Sequence, residues 1–418
     1  MQTTLLGLAI AFIIALIAAL IGPYFVDWNQ FRPQFEAEAS KVIGAPVRVA
    51  GELEARLLPS PTLRLRSVVV GGANDLGKVK ADKLDVEFSL GSLMRGEWRA
   101  TELTIGGMAL DLGLDAKGGI DWAASNGKFN LGGLAIDRLR LTGRAALHDA
   151  LSHRTLELED IVFSGDVRSL AGSMRGDGSV TVSGSRYPFR VSSSQSPDGN
   201  GTRLHLNVDS SARPVSVDLD GLLSFEARSP RFEGTVAWAA AQGPKGTTTS
   251  NVPWRVSAKV KADHAAAKLD QVEASYGTED TALKLTGTGE LRFGTSPLLH
   301  AALSARQLDA DRFAAREMAA GDKPNIAKSI GKDGAAPDPV RMLPVLRAVM
   351  SAFPEPPIPT ELELAAEQIV LGGRSVQNFA SQVRSDAKSW AVDRLELRAP
   401  GSTRVSLSGK AADGTSGR

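Results

Sequence analysis

Leu84-Asp85-Val86-Glu87-Phe88-Ser89-Leu90 alternates apolar and polar side chains without a break. Side chains at i and i+2 share one face of a strand, so this stretch reads as a β-strand with one oily face and one wet face. A helix of the same residues would scatter Leu84, Val86, Phe88 and Leu90 around its circumference. The pattern recurs on both sides. Leu63, Leu65, Val68 and Val70 are separated by Arg64, Arg66 and Ser67, and Met108, Leu110 and Leu112 alternate with Ala109 and Asp111. It returns at 156–158, 204–208, 215–219, 283–285, 362–364, 395–397 and 405–407. Turn-forming clusters such as Gly71-Gly-Ala-Asn-Asp75 and Ser194-Gln-Ser-Pro-Asp-Gly-Asn-Gly201 separate the runs. One-sided strands joined by turns predict antiparallel sheet.

Two segments depart from this period. Residues 1–26 carry no charged side chain and are almost purely apolar from Leu5 to Ile21. About 22 such residues rising ~1.5 Å each span roughly 33 Å, enough for the hydrocarbon core of a bilayer. Tyr24 and Trp28 fall where an interfacial aromatic belt is expected. A cleaved signal peptide is the competing reading, but it calls for a basic n-region and a shorter apolar core. The segment 1–26 is therefore read as a transmembrane anchor. After it, Asn29 to Gly44 predicts a short helix, with Asn29 as cap, Pro33 in the first turn and Gly44 as terminator. Phe31, Phe35, Ala39 and Val42 share one of its faces. It either lies on a membrane or groove or packs on the end of a sheet, and the second reading is favoured.

Farther on, Ala314 to Ala336 reads as a loose linker, and 339–353 as a short apolar helix stopped by Pro354-Glu-Pro-Pro-Ile-Pro359. The organisation expected is an anchor at 1–26, a β domain at 27–313 and a linker with a short helix at 314–359. A second β module follows at 360–409, with its truncation left open, and a disordered tail at 410–418.

Composition narrows the function. Among 418 residues the formal net charge is +1, which lacks the basic excess of a nucleic-acid binder. There is no cysteine, so disulfides, cysteine nucleophiles and thiolate metal sites are excluded. No G-x-S-x-G, H-E-x-x-H, P-loop or G-x-G-x-x-G occurs, and Gly287-Thr-Gly-Glu-Leu-Arg-Phe-Gly294 has the wrong spacing for a phosphate loop. Of the five histidines only His148 and His153 are close in sequence, in a predicted hairpin turn. Glu157 with Glu159, and Glu361 with Glu363, share wet strand faces and could resemble catalytic carboxylate pairs. A solvated sheet face accounts for both. No catalytic residue, metal site or cofactor is assigned.

The one-sided apolar surface can be buried in two ways. Two sheets can face each other as a sandwich, or one long sheet can curl into a trough whose oily face holds acyl chains. Periodicity leaves both open.

The order of segments carries a resemblance. The apolar N-terminal run precedes Phe31-Arg-Pro-Gln-Phe-Glu36, Ile43-Gly-Ala-Pro-Val-Arg-Val-Ala-Gly-Glu-Leu53 and Leu58-Pro-Ser-Pro-Thr-Leu-Arg-Leu65. Ala81-Asp-Lys-Leu-Asp-Val-Glu-Phe-Ser-Leu90 and Leu103-Thr-Ile-Gly-Gly-Met-Ala-Leu-Asp-Leu112 follow. This resembles the start of an AsmA-family protein, and Pro359 to about Gly409 resembles that family's repeated β module. The resemblance implies a non-enzymatic, single-pass protein of the Gram-negative inner membrane, with its bulk in the periplasm. The implied fold is mainly β: one N-terminal transmembrane helix, then a long curled antiparallel β-sheet forming a groove or half-barrel, with short helices near 29–43 and 339–353. The implied cargo is phospholipid acyl chains, in support of outer-membrane assembly or lipid homeostasis, with envelope proteins as partners. The groove lining expected is Leu63, Leu65, Leu84, Val86, Phe88, Leu90, Met108, Leu110 and Leu112.

Overall fold

In a computed structural model the described residues are 27–72, 77–97, 99–121, 135–167, 173–199, 201–210, 215–226, 229–240, 253–277, 282–309, 358–371, 374–386, 389–399, 401 and 403–408. The expected anchor at 1–26, the expected linker and helix up to 353 and the expected tail at 410–418 lie outside them. Among the described residues no helix is long and apolar enough to cross a membrane. The fold is mainly β with few helices, as the alternation predicts.

The chain divides into two compact units, Met1–Pro214 with Asp218–Phe232, and Val215–Val217 with Glu233–Arg418. The first opens with a 3-10 turn at Trp28–Phe31 and helix α1 at Arg32–Ile43. Strands β1 (Val47–Val49), β2 (Leu53–Arg56), β3 (Thr62–Val70) and β4 (Lys78–Phe88) follow. A one-turn helix α2 (Leu90–Met94) precedes β5 (Arg99–Leu114), β6 (Ile120–Asp121), β7 (Ala135–Asp149) and β8 (Arg154–Val167). The run continues with β9 (Met174–Val182), β10 (Ser185–Gln195) and β11 (Thr202–Asp209). These strands form one ladder. Both β1 and β2 pair with the same edge of β3, and the ladder then runs through β4, β5, β7, β8, β9, β10 and β11. None of β1–β11 is left over to form an opposing layer.

Strands β12 (Val215–Glu226) and β13 (Ser229–Ala240) contain the boundaries between the units. The second unit continues with β14 (Trp254–Ala262), β15 (Ala266–Tyr276), β16 (Leu283–Arg292), β17 (Leu298–Asp309) and β18 (Thr360–Leu371). It closes with β19 (Arg374–Ser385), β20 (Trp390–Ala399) and β21 (Thr403–Ser408). From β14 to β21 each strand pairs with the next.

The expectation of purely antiparallel sheet is corrected. β5 pairs β7, and β17 pairs β18, in parallel. Both parallel joins follow long connections, 115–134 and 310–359, which let the chain return to the same end before the next strand starts. Alternation of side chains is identical in both directions, so it carries no signal of this choice.

Helix α1 packs on the end of the first ladder. Trp28, Phe35, Ala39 and Ile43 lie against a buried cluster of Val47, Val49, Leu53, Leu65 and Val68. Phe31 stays 41% exposed, beside Trp28 at a ring separation of 6.0 Å. Asn29 does not cap α1. Asp27 caps the 3-10 turn by accepting from the Asn29 N–H at 3.0 Å. Gly44, in the left-handed region at φ 76°, ends the helix as expected, and its N–H donates to the Ser40 carbonyl.

Candidate functional site: a register-aligned apolar face

Directly opposed residues in a ladder share a face, so the register shows which side chains meet. Leu63 opposes Val86 and Leu65 opposes Leu84. Leu84 opposes Ile105 and Val86 opposes Leu103. Leu103 and Ile105 oppose Leu139 and Leu141, and Leu141 opposes Phe163. Phe163 opposes Gly178, and Gly178 opposes Phe189. Val191 opposes Leu206, and Phe189 opposes Val208. One apolar face thus runs without interruption from β3 to β11. Its centre is a cluster of buried Val86, Ala100, Ile136, Leu139, Phe163 and Val167. Leu63, Leu84, Phe88, Leu103, Ile105 and Leu141 pack against that cluster and remain only half-buried.

The face survives breaks in the two-residue period. Along β3 the apolar step lengthens from two residues to three between Leu65 and Val68. Along β4 the same happens between Leu84 and Ala81, and along β5 between Ile105 and Met108. Ser67, Asp82 and Gly107 fall at these breaks, and Ser67 and Gly107 take positive φ, 52° and 63°. In β8 the break lies at Asp160, φ 46°, where Leu158 and Ile161 oppose Ala145 and Gly143. Each extra residue would throw the rest of the strand onto the wrong face. In β3, β4 and β5 the breaks stand opposite one another and keep these strands in register, and against β7 a bulge absorbs the extra residue of β5 and of β8. As a result Met108, Leu110 and Leu112 share the face of Leu103 and Ile105, and they oppose Gly143, Ala145 and Leu147. Bulges also bend the strands that carry them.

The second unit repeats the device. Leu269 and Val272 oppose Gly289 and Gly287, with Gln271 at φ 50° between them. Ala366 and Ile369 oppose Phe379 and Val376, with Asn378 at φ 51°. Leu362 and Leu364 oppose Ala301 and Leu303, so an apolar face is aligned there too.

Among the predicted lining residues, Leu63, Leu65, Leu84, Val86, Phe88, Met108, Leu110 and Leu112 all stand in β3, β4 and β5. Leu65 and Val86 are buried in the two clusters, whereas Met108, Leu110 and Leu112 are half-buried. Leu90 is the exception. The strand ends at Phe88, and Ser89 caps α2 by accepting from the Ser92 N–H. Leu90 therefore opens a helix, 40% exposed, and continues no strand face. Sequence reading missed Leu139, Leu141, Phe163 and Phe189. Their own two-residue spacing was the signal, muted by the interleaved glycines and arginines.

The opposite face is wet. Glu102 sits between Arg138 and Arg140, 3.7 and 3.2 Å away. The Arg99 guanidinium forks onto the Asp137 carboxylate, a bond that raises its pKa further. On this same side a cleft of about 920 Å³ is lined by Lys78, Lys80, Asp111, His148, Asp149 and Arg154, among others. His148 Nδ1 lies 3.0 Å from the Thr155 hydroxyl, and His153 sits in the turn. Glu157 and Glu159 are exposed, and so are Glu361 and Glu363, with Glu363 accepting from the Gln382 amide. No group of three His, Asp or Glu that could hold a metal occurs among the described residues.

What these features define is a β-ladder protein whose distinctive surface is one continuous apolar face. Residues 2–128 match the model of the AsmA family, the family that the N-terminal motifs resemble. No curated protein and no solved structure matches the chain.

Proposed function

We propose that this protein is a non-enzymatic carrier of phospholipid acyl chains, which lie along the apolar face of β3–β11 while their head groups stay in water. The observation that carries the proposal is the alignment of half-buried Leu, Ile, Val and Phe side chains over consecutive strands, with none of β1–β11 left over to cover them. A soluble surface does not leave so extended a patch without purpose. Each methylene moved from water onto such a face contributes about 0.8 kcal/mol, so a chain of ordinary length binds without any specific polar contact. The match of residues 2–128 to the AsmA family supports the same reading. It also supports placing the chain in the cell envelope, held at the inner membrane by residues 1–26, with the remainder in the periplasm serving outer-membrane assembly. In this arrangement the first strands stand at the bilayer surface, where a lipid enters.

The test is native mass spectrometry of the full chain released from detergent, alongside lipid extraction. Phospholipid retained in stoichiometric amount supports the carrier. A chain that emerges lipid-free, and that fails to take up a fluorescent acyl probe from vesicles, refutes it and leaves an envelope scaffold as the reading.

A further inference from the structure

At one end of the first ladder β2 and β4 finish while β3, β5 and β7 begin. Arg56 opposes Thr62, Thr62 opposes Glu87, Phe88 opposes Ala100, and Arg99 opposes Ala135. Helix α2 joins β4 to β5 at this end, and Leu57 opens the connection that follows β2. Apolar side chains stand out into water here. Leu57 is 52% exposed, Leu90 40% and Met94 82%.

α2 is pinned in that posture. The Ser92 N–H donates to the Ser89 hydroxyl at 3.4 Å, the Ser89 N–H to the Arg99 carbonyl at 3.0 Å, and the Glu97 N–H to the Ser92 carbonyl at 2.9 Å. Ser92 is buried and faces inward, whereas Leu90 and Met94, four residues apart, share the outward face. Glu97 and Asp137 stand at the same end, and each is neutralised by an arginine, Arg95 at 3.1 Å and Arg99 at 2.8 Å. Paired carboxylates lose less on approaching an apolar or anionic surface than bare ones do. The chain also enters from this side. The turn Trp28–Phe31 is tied to β2 by the Leu53 N–H, which donates to Asn29 Oδ1 at 3.4 Å. α1 then leads away toward β1, whose Val47 opposes Val70 at the other end of β3. Before that turn lie 26 residues without a charged side chain.

We infer that the outward face of α2, Leu90 with Met94, together with Leu57, sits in the surface of a phospholipid bilayer. This contact rests on the carrier reading, which places residues 1–26 in the same membrane. It brings Phe88, where the apolar face of β4 ends, within two residues of the lipid. An acyl chain then passes from bilayer to ladder without crossing open water.

The experiment uses the full chain reconstituted in vesicles of phosphatidylethanolamine and phosphatidylglycerol. The protein has no cysteine, so Met94→Cys and Leu151→Cys each place a single environment-sensitive label. Leu151 is also exposed, but it lies in the β7–β8 turn at the opposite end of these strands, where Leu114 opposes Asp149 and Asp149 opposes Arg154. The expected result is that the label at 94 shifts to the blue and is quenched several-fold more by acyl-chain spin-labelled lipid than the label at 151. Leu57→Asp with Leu90→Asp should remove most of that difference. The inference is overturned if the two labels are quenched alike, or if the label at 94 is shielded only as protein density rises, which assigns α2 to a second copy. Quenching at 94 in a chain that carries no lipid refutes the carrier and leaves this contact standing. Retained lipid without quenching overturns the contact alone, and a chain that does not enter the vesicles overturns both contact and anchor.

Discussion

Phe163 on β8 and Phe189 on β10 stack across the intervening strand, with ring centroids 6.4 Å apart and planes 7° from parallel. Gly178 of β9 opposes both of them, and its missing side chain is what lets the rings meet. A Cβ at Gly178 would lie 2.2 Å from the Val162 carbonyl oxygen and 2.8 Å from Phe189 Cζ. Gly178→Val is expected to destabilise the first unit by about 1–3 kcal/mol, the usual cost of overpacking. Chemical denaturation of the full chain checks this.

The apolar face is best probed away from its buried centre. Val86 belongs to the core cluster, so a charge there would confound lipid loss with unfolding. Leu110 and Leu112 are half-buried and stand outside both clusters. Leu110→Asp and Leu112→Asp are expected to lower retained phospholipid several-fold while leaving the melting temperature nearly unchanged. Ala109→Asp, one residue along on the wet face, is the control and should retain lipid as the parent does.

On the outer edge of β1 the Val49 N–H donates to the Glu36 carboxylate at 2.6 Å. Glu36→Ala leaves the Val49 N–H without its acceptor, which costs about 1–3 kcal/mol for a donor withheld from water. Faster amide exchange at Val49 is the expected readout, with Val47, which donates to the Ser40 hydroxyl, as the internal reference. Glu36→Gln keeps an oxygen in place and should restore most of the protection.

The β7–β8 turn is sensitive to acid. The Ser152 hydroxyl holds the Asp149 carboxyl below its ordinary pKa, assisted by the Leu151 and Ser152 N–H groups. A pKa depressed in the folded state means that the stabilisation is complete above the unfolded value. It is lost as pH falls through the folded one. Lowering pH should therefore release the Leu151 and Ser152 amides together, seen as coupled NMR shift changes. Ser152→Ala should move that transition to higher pH.

Much of this was legible in the residues. The runs at Leu63–Val70, Leu84–Phe88 and Met108–Leu112 are strands with the predicted oily side, and Phe35 and Ala39 do pack on the sheet end. Leu90 misled because alternation continues past Ser89, where a local hydrogen bond to the Ser92 N–H turns the chain into α2. Asp27 rather than Asn29 caps the entry turn, a difference that rests on backbone angles no residue pattern reveals.

Period and composition by themselves determined that the chain is mainly β, that each strand has one apolar side, and that no familiar catalytic motif is present. Those are properties of residues a few positions apart, fixed by the geometry of an extended backbone. Only the tertiary structure decided that the separate apolar runs form one face. Leu65 and Val68, or Ile105 and Met108, are out of phase in sequence. They are brought to the same side by residues at Ser67 and Gly107 that turn through positive φ. The parallel joins belong to the same category. Each depends on which distant strand supplies the next hydrogen bonds, a choice that a strand's own side chains leave free.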